Sequence, residues 1–210
     1  PSEEVGSKRS RASDEELHIQ RLMPADALRI RGEHNALNAL AALALAGTCC
    51  NALAPMLHGL REYSGEPHRL SSVSVVNGVE FIDDSKGTNV GATVAAVNSL
   101  GADRQLIVIL GGDGKGQDFS PLGDPLKRHA RAVVLMGRDA PLLQDALQVY
   151  GLHVHHATDM QHAVDTAVQL AHSGDAVLLS PACASLDMYA NYVARAQAFT
   201  DALLLKTRVA

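Results

Sequence analysis

Short apolar runs alternate with longer helix-like segments through most of the chain. The run SVSVVNGVEFID is the clearest hairpin signal, because Asn77-Gly78 suits a type I′ turn between two β-prone stretches. Beyond it the pattern predicts strands at 105–110, 132–136, 152–156 and 176–180, and helices at 90–100, 121–129, 139–149, 159–171 and 188–205. Strands that alternate with helices predict an α/β fold with a mostly parallel sheet and right-handed crossovers.

The segment before this pattern has a different character. Residues 1–20 are polar and lack periodicity, which predicts a loop. The Ala- and Leu-rich segment from Asn35 to Gly47 predicts a buried helix, and the segment from Ala52 to Tyr63 predicts an amphipathic one. Because Pro67 breaks regular structure, GEPHR is interpreted as a connector between these helices and the hairpin.

Composition excludes some classes of function. With 210 residues the chain can bury a core, and its formal net charge of -5 argues against a general electrostatic grip on nucleic acid. The longest apolar run, ALNALAALALAG, is too short to cross a bilayer. Cys49, Cys50 and Cys183 form no CxxC pair, and their odd number favours a reducing compartment; we interpret them as buried thiols.

Three polar turns follow predicted strands and are the candidates for chemistry. DDSKGTN follows VEFI, GGDGKGQDFS follows LIVIL, and SPACASLD follows AVLLS. Ligands of open α/β sheets bind outside the carboxyl ends of the strands, so the three turns should open on one crevice. The glycines and Lys115 of GGDGKG can approach an anion, although the loop is not a P-loop and a solvated glycine turn is the alternative.

Other polar residues carry weaker signals. Ser180 and Ser185 are predicted near the start of the last helix, where backbone N–H groups bind carboxylates or side chains cap. Asn35 and Asn38 share a helix face and could read a purine edge, the alternative being a cap and a packing defect. His153, His155 and His156 have no nearby carboxylate or thiol partner, so an exposed edge strand is favoured over a metal site.

Taken together, the motifs resemble one family. GEHNALNALAALALA, PHR, DDSKGTNVGAT, GGDGKGQDFSPL, GRD and SPACASLDMYANY occur in this order and resemble the C-terminal third of the Mur ligases, which build peptidoglycan. The resemblance runs from about Leu22 to about Leu204 and is greatest for the branch that adds D-glutamate. It implies a Rossmann-like sheet flanked by helices in residues 67–210, preceded in residues 1–66 by the tail of a central ATP-binding domain.

The resemblance also implies an activity. Mur ligases form an amide bond at the expense of ATP, with Mg²⁺, through an acyl phosphate; this branch joins D-glutamate to UDP-N-acetylmuramoyl-L-alanine in the bacterial cytoplasm. The partners implied are these small molecules and not nucleic acid or a membrane, and the protein is expected to be a monomer. Since the family's P-loop and carbamylated lysine find no match here, the chain alone is expected to be inactive. The alternatives are a docking module and a sister ligase that adds another amino acid, such as the folylpolyglutamate or diaminopimelate type.

Residue roles follow from the resemblance alone. The implied catalytic residues are Lys86 and Thr88, and no metal ligand is implied within this chain. The implied D-glutamate contacts are Thr88, Lys115, Ser185, Leu186 and Tyr192. The implied ATP contacts are Asn35, Asn38, His68, Arg69, Asp84 and Lys86.

The sequence departs from the family pattern in two places. Glu66 stands where an apolar residue is usual. After SPACASLD the family tends to read Phe-Lys-Asn-Phe-Glu-x-Arg-Gly, whereas residues 189–196 read YANYVARA, which puts the contacts of Tyr192 in doubt. For Ser85, Asn89 and Thr93 the alternative to a ligand contact is capping of the following helix.

Overall fold

The computed structural model describes residues 20–30, 32–50 and 52–207, so nearly all of the loop predicted at 1–20 lies outside the described residues. Two helices precede a six-stranded sheet with five further helices. The helices are α1 (Glu33–Gly47), α2 (Leu53–Glu62), α3 (Val90–Gly101), α4 (Gly123–His129), α5 (Ala140–Leu147), α6 (Met160–Leu170) and α7 (Tyr192–Thr207). The strands are β1 (Ser71–Val76), β2 (Val79–Asp83), β3 (Leu106–Gly111), β4 (Ala130–Met136), β5 (Val154–His156) and β6 (Ala176–Leu179).

The predicted hairpin is confirmed by its backbone angles. β1 and β2 are antiparallel, with Val76 opposite Val79, and Asn77 and Gly78 connect them with φ of 52° and 77°. A type I′ turn requires positive φ at both central residues, which asparagine and glycine tolerate best. This turn fixes the register that places Asp83 at the end of β2, where the polar turn begins.

The sheet has the strand order β1-β2-β6-β3-β4-β5, and every pair except β1 with β2 is parallel. Helices cover both faces, so successive residues of β3 enter opposite cores: Leu106, Val108 and Leu110 pack with α3, α4 and α5, and Ile107 and Ile109 with α6 and α7. This explains the uniformly apolar central strands. β5 lies at the sheet edge, as predicted for the histidine-rich run.

Three details of the prediction are wrong. α1 is a helix, but Ala39 is its one buried residue, because few described elements pack on it; Leu37 is 60% exposed. Cys49 and Cys50, which follow α1, are therefore exposed, whereas Cys183 is buried. The last helix begins at Tyr192 instead of 188, because Asn191 Oδ1 accepts the N–H of Ala194 and caps the helix there.

Within the part of the chain that the structure describes, each helix is too short or too polar to cross a lipid bilayer.

Candidate functional site

The three polar turns meet at one edge of the sheet, as the sequence predicts. β2, β6 and β3 are neighbours, so their carboxyl ends lie side by side. Backbone hydrogen bonds then join the turns: Ala182 N–H donates to Gly87 O at 3.0 Å, and Asp113 and Ala184 exchange two bonds at 2.9 and 2.8 Å. We refer to residues 83–89, 111–118 and 180–187 as the first, second and third crevice turns.

Asp84 lies at the floor of the first crevice turn and is 7% exposed. Ser180 Oγ donates to Asp84 Oδ2 at 2.7 Å, and Thr93 donates to Ser180 O at 3.1 Å. A side chain at Gly87 would contact Asp84 and Ser180, so only glycine fits beside this carboxylate. Burial raises the pKa of Asp84 to about 6, although the hydrogen bond from Ser180 acts to lower it. The carboxylate is therefore a desolvated acceptor near neutral pH.

Asp83 organises the start of the same turn. Its Oδ1 accepts the N–H of Ser85 at 2.9 Å and the Ser85 hydroxyl at 2.5 Å. Its Oδ2 lies 2.7 Å from His68 Nδ1. Ser85 therefore serves the turn instead of capping α3, while Asn89 does cap α3 through the N–H of Ala92, and Thr93 binds Ser180.

Lys86, His68 and Tyr192 form a second group above Asp83. The Lys86 ammonium lies 4.2 Å from the centre of the Tyr192 ring, a cation–π distance. The His68 and Tyr192 rings form a T-shaped pair with ring centres 5.7 Å apart, and Lys86 N–H donates to His68 O at 3.1 Å. Tyr192 thus contacts the Lys86 ammonium through the face of its ring.

Lys115 extends from the second crevice turn to the first. Its Nζ donates to Thr88 O at 3.2 Å, and its own N–H donates to Asp113 Oδ1 at 2.9 Å. The side chain is exposed, the backbone φ is 53°, and a glycine lies on each side of Lys115 in the chain. The ammonium group is therefore presented to the crevice beside the backbone carbonyl of Thr88.

Ser185 and Leu186 lie in the third crevice turn. Because α7 begins only at Tyr192, Ser180 and Ser185 are not near the start of the last helix, where they were predicted. Ser185 O accepts the N–H groups of Met188 and Tyr189 at 3.1 and 2.8 Å, which closes a turn ahead of α7. Ser185 is buried and Leu186 is 70% exposed. Asp187 does not cap the helix either; its Oδ2 accepts the N–H of Arg138 at 2.8 Å.

A cavity of about 810 Å³ lies between α1, α2 and the first crevice turn. Five of the six residues implied to contact ATP line this cavity: Asn35, Asn38, Arg69, Asp84 and Lys86. Most of its remaining lining is apolar, including Ala39, Leu43 and Leu70, which suits a flat heterocycle held by a few polar groups. Glu66 is accommodated at its rim, where it accepts the Tyr63 hydroxyl at 3.0 Å.

Arg195 of α7 is a site residue that the sequence reasoning missed. It is 2% exposed, yet its Nη2 donates to Ser85 O at 3.0 Å and its Nη1 to Cys183 O at 3.1 Å and Gly111 O at 3.5 Å. One guanidinium therefore binds all three crevice turns. Burial lowers the pKa of Arg195 to about 10, so holding this cation costs free energy. The sequence contains one signal of this buried role: Arg195 stands among the apolar residues Ala196, Phe199 and Ala202 of the last helix.

No group of three potential metal ligands occurs among the described residues, and His153, His155 and His156 are accordingly not brought together with carboxylates there.

The comparisons with known proteins agree with this geometry. The family model "Mur ligase, glutamate ligase domain" matches residues 68–183. A protein of Polaromonas sp. strain JS666 named UDP-N-acetylmuramoylalanine--D-glutamate ligase is 65% identical over 196 residues, covering 93% of this chain and 33% of the relative. The protein of that name from Albidiferax ferrireducens is 63% identical, covering 93% and 39%. This chain thus spans between about a third and two fifths of the length of these relatives.

Solved structures show the same fold at low identity. UDP-N-acetylmuramate-alanine ligase MurC from Thermotoga maritima superposes with a TM-score of 0.64 at 21% identity, covering 85% of this chain and 40% of that one. MurF from Acinetobacter baumannii gives a TM-score of 0.58 at 22% identity, covering 74% and 36%. These likenesses establish the fold alone.

Proposed function

Because the chain belongs to the Mur ligase family, we propose that it is the amino-acid-binding part of an ATP-dependent, ADP-forming ligase that joins D-glutamate to UDP-N-acetylmuramoyl-L-alanine. The observation that carries this proposal is the hydrogen bond from Lys115 Nζ to the backbone oxygen of Thr88, which joins two crevice turns next to the cavity that Asp84 and Lys86 line. The names of the relatives at 65% and 63% identity support the choice of D-glutamate.

The crevice suits an amino acid with two carboxylates. The Lys115 ammonium lies 3.2 Å from the backbone oxygen of Thr88. Lys115 thus offers a cation next to the residue that carries the Thr88 hydroxyl, and together the two groups can hold one carboxylate of D-glutamate. The turn that contains Ser185 and Leu186 offers hydrogen-bond donors a few residues away along the same edge. Two anchors at separate points fix the direction of the amine, which must point toward the acyl phosphate to attack it.

The neighbouring cavity suits the nucleotide. The Asn35 and Asn38 amides lie 3.5 Å apart at one end, and Asp84 at the other end can accept ribose hydroxyls. Arg69 lines the same cavity, and His68 directly precedes it in the chain. Lys86 lies between the cavity and the crevice, so its ammonium can stabilise negative charge that develops as the amine attacks and phosphate leaves. Its contact with Tyr192 limits the freedom of that ammonium group.

No residue of this chain is assigned as a ligand of Mg²⁺. Mg²⁺ supplies charge neutralisation for the phosphates of ATP when it is bound, and it prefers carboxylate and phosphate oxygens. Asp84 is held by Ser180. The residues of this chain are proposed to bind the amino acid and the nucleoside part of ATP, with Lys86 near the reacting phosphate.

The proposal extends to the organisation of the protein. Residues 1–66 would complete a central ATP-binding domain, and residues 67–210 would form the domain that receives the amino acid. The exposed leucines of α1, Leu37, Leu40 and Leu45, are the kind of apolar surface that another domain covers. The enzyme would act as a cytoplasmic monomer, and the isolated chain would release no phosphate from ATP because GGDGKG is not a P-loop.

Replacing Lys115 with alanine in the full-length ligase tests the proposal. Loss of one charge-assisted hydrogen bond costs about 1.5–3 kcal/mol, so the KM for D-glutamate should rise roughly ten- to a hundredfold. The KM for ATP should not change, because Lys115 does not line the nucleotide cavity. Lys127→Ala, at an exposed lysine of α4, is the control. A defect confined to ATP, or a KM for D-glutamate within about twofold of the parent, would refute the assignment.

A further inference from the structure

Gln117 lies between the start of α3 and the second and third crevice turns, and it has no role in the proposed function. It is partly buried at the end of the second crevice turn, two residues after Lys115. Its side chain makes three hydrogen bonds: one to the start of α3, one within its own turn and one to the third crevice turn. Neither its position in sequence nor the motif GGDGKGQDFS indicates this, since glutamine is ordinary in a solvated loop.

The three partners match the chemistry of an amide. Gln117 Oε1 accepts the N–H of Val90 at 3.0 Å, and Nε2 donates to Gly114 O at 2.9 Å and to Ala182 O at 3.2 Å. One donor and two acceptors surround the group, so a neutral primary amide satisfies all three. A carboxylate of the same shape would satisfy Val90 but would place a negative oxygen against two carbonyls.

These bonds connect the residues that carry the proposed site. Val90 is the first residue of α3 and lies two residues after Thr88, and its N–H is one of the donors that a helix leaves unpaired at its start. Gly114 immediately precedes Lys115, and Ala182 lies in the third crevice turn, three residues before Ser185. Gln117 therefore sets how far Thr88, Lys115 and the third turn lie from one another.

We propose that Gln117 is a positioning residue for the amino-acid substrate: its amide holds the start of α3, next to Thr88, and the second and third crevice turns at the separation that two carboxylates of one small molecule require. The inference rests on the proposed function. Gln117 does not touch the substrate; it acts through Thr88, Lys115 and the turn of Ser185. Binding that depends on two anchors at once is weakened when their separation is no longer fixed.

The test is titration of this chain with D-glutamate, followed through the amide resonances of Thr88, Lys115 and Ser185. Gln117→Met keeps the length of the side chain and removes all three bonds, whereas Gln117→Glu keeps only the bond from Val90. Both should weaken D-glutamate binding by about tenfold or more. Gln197→Ala, at an exposed glutamine of α7 that bonds Asp201 at 2.9 Å, should leave the affinity unchanged.

Two readouts separate positioning from a merely structural role. All affinities are measured well below the melting temperature of each variant, so a loss of stability alone does not change them. Hydrogen exchange of the Val90 amide should become faster in Gln117→Met and stay slow in Gln117→Glu, which shows that the bond exists. If both variants bind D-glutamate within about twofold of the parent, or if Val90 exchanges equally in all of them, the role of Gln117 is refuted while the proposed function stands. If the parent shows no response to D-glutamate, the proposed amino-acid site is refuted, and the role of Gln117 with it.

Discussion

Replacement of Arg195 should loosen the crevice and destabilise the whole fold. Arg195→Ala leaves the carbonyl oxygens of Ser85 and Cys183 buried without their donor, since the guanidinium binds them at 3.0 and 3.1 Å. A buried acceptor without a partner costs about 1–3 kcal/mol. The truncation also leaves a cavity beneath three turns, because the side chain is 2% exposed.

An opposing effect reduces this cost. The pKa of Arg195 is lowered to about 10 by burial, so removal of the cation recovers desolvation free energy of about 3 kcal/mol. Two unsatisfied carbonyls and a cavity together exceed that gain. The two carbonyls cost about 2–6 kcal/mol and the cavity on the order of 2 kcal/mol more, so after the gain of about 3 kcal/mol the expected net loss is about 1–5 kcal/mol. In a chain of this length such a loss lowers the melting temperature by about 10 °C.

Urea titration and thermal unfolding of Arg195→Ala, Arg195→Met and Arg195→Lys measure the effect. Methionine fills the cavity but donates nothing, so its loss should be smaller than that of alanine; lysine keeps the charge but reaches fewer carbonyls and should fall between the parent and alanine. Arg128→Ala, at an exposed arginine of α4, is the control and should change stability by less than about 0.5 kcal/mol. If Arg195→Ala is as stable as this control, Arg195 does not tie the three turns together.

Two further predictions concern the first crevice turn and the hairpin. The pKa of Asp84, raised by burial to about 6, exceeds its unfolded value, so its stabilising contribution is full below about pH 4 and is lost as the pH rises through about 6. Urea titrations should therefore show the parent gaining about 1 kcal/mol relative to Asp84→Asn between pH 7 and pH 5, and parallel pH profiles would contradict this. Gly78→Val should destabilise the protein by about 1–2 kcal/mol, because a β-branched residue resists a φ of 77° and would contact Ser173, while D-glutamate binding stays unchanged. Gly47→Val meets no neighbouring atom, and equal melting temperatures for the two valine variants would refute the strain at the hairpin.

Much of the fold and the location of the site could be predicted because their signals are local. Periodicity identified the strands, Asn77-Gly78 identified the hairpin, and the rule for parallel sheets placed DDSKGTN, GGDGKG and SPACASLD on one crevice. Capping was less predictable: the Asn191 side chain starts the last helix at Tyr192, although the residues before it could equally well be helical.

What could not be predicted depends on surfaces and on distant partners. The composition of α1 indicates an apolar helix but does not indicate whether another part of the protein covers it. For this reason the exposure of Leu37, Cys49 and Cys50 could not be predicted. The bonds of Arg195 and Gln117 join segments far apart in sequence, and only the fold brings those carbonyls within reach. The residues that bear ligand-binding groups can thus be found in motifs, whereas those that hold the turns together cannot.

The most direct test of the account is the ligand preference of the crevice. Titration calorimetry of this chain with D-glutamate, L-glutamate, D-alanine and meso-diaminopimelate compares the proposed substrate with its enantiomer and with amino acids that sister ligases would add. We expect heat from D-glutamate, binding of D-glutamate that is about ten- to a hundredfold weaker in Lys115→Ala, and weaker or no binding of the other three. Equal binding of both glutamate enantiomers, a preference for meso-diaminopimelate, or D-glutamate binding that is unchanged in Lys115→Ala would contradict the proposed function.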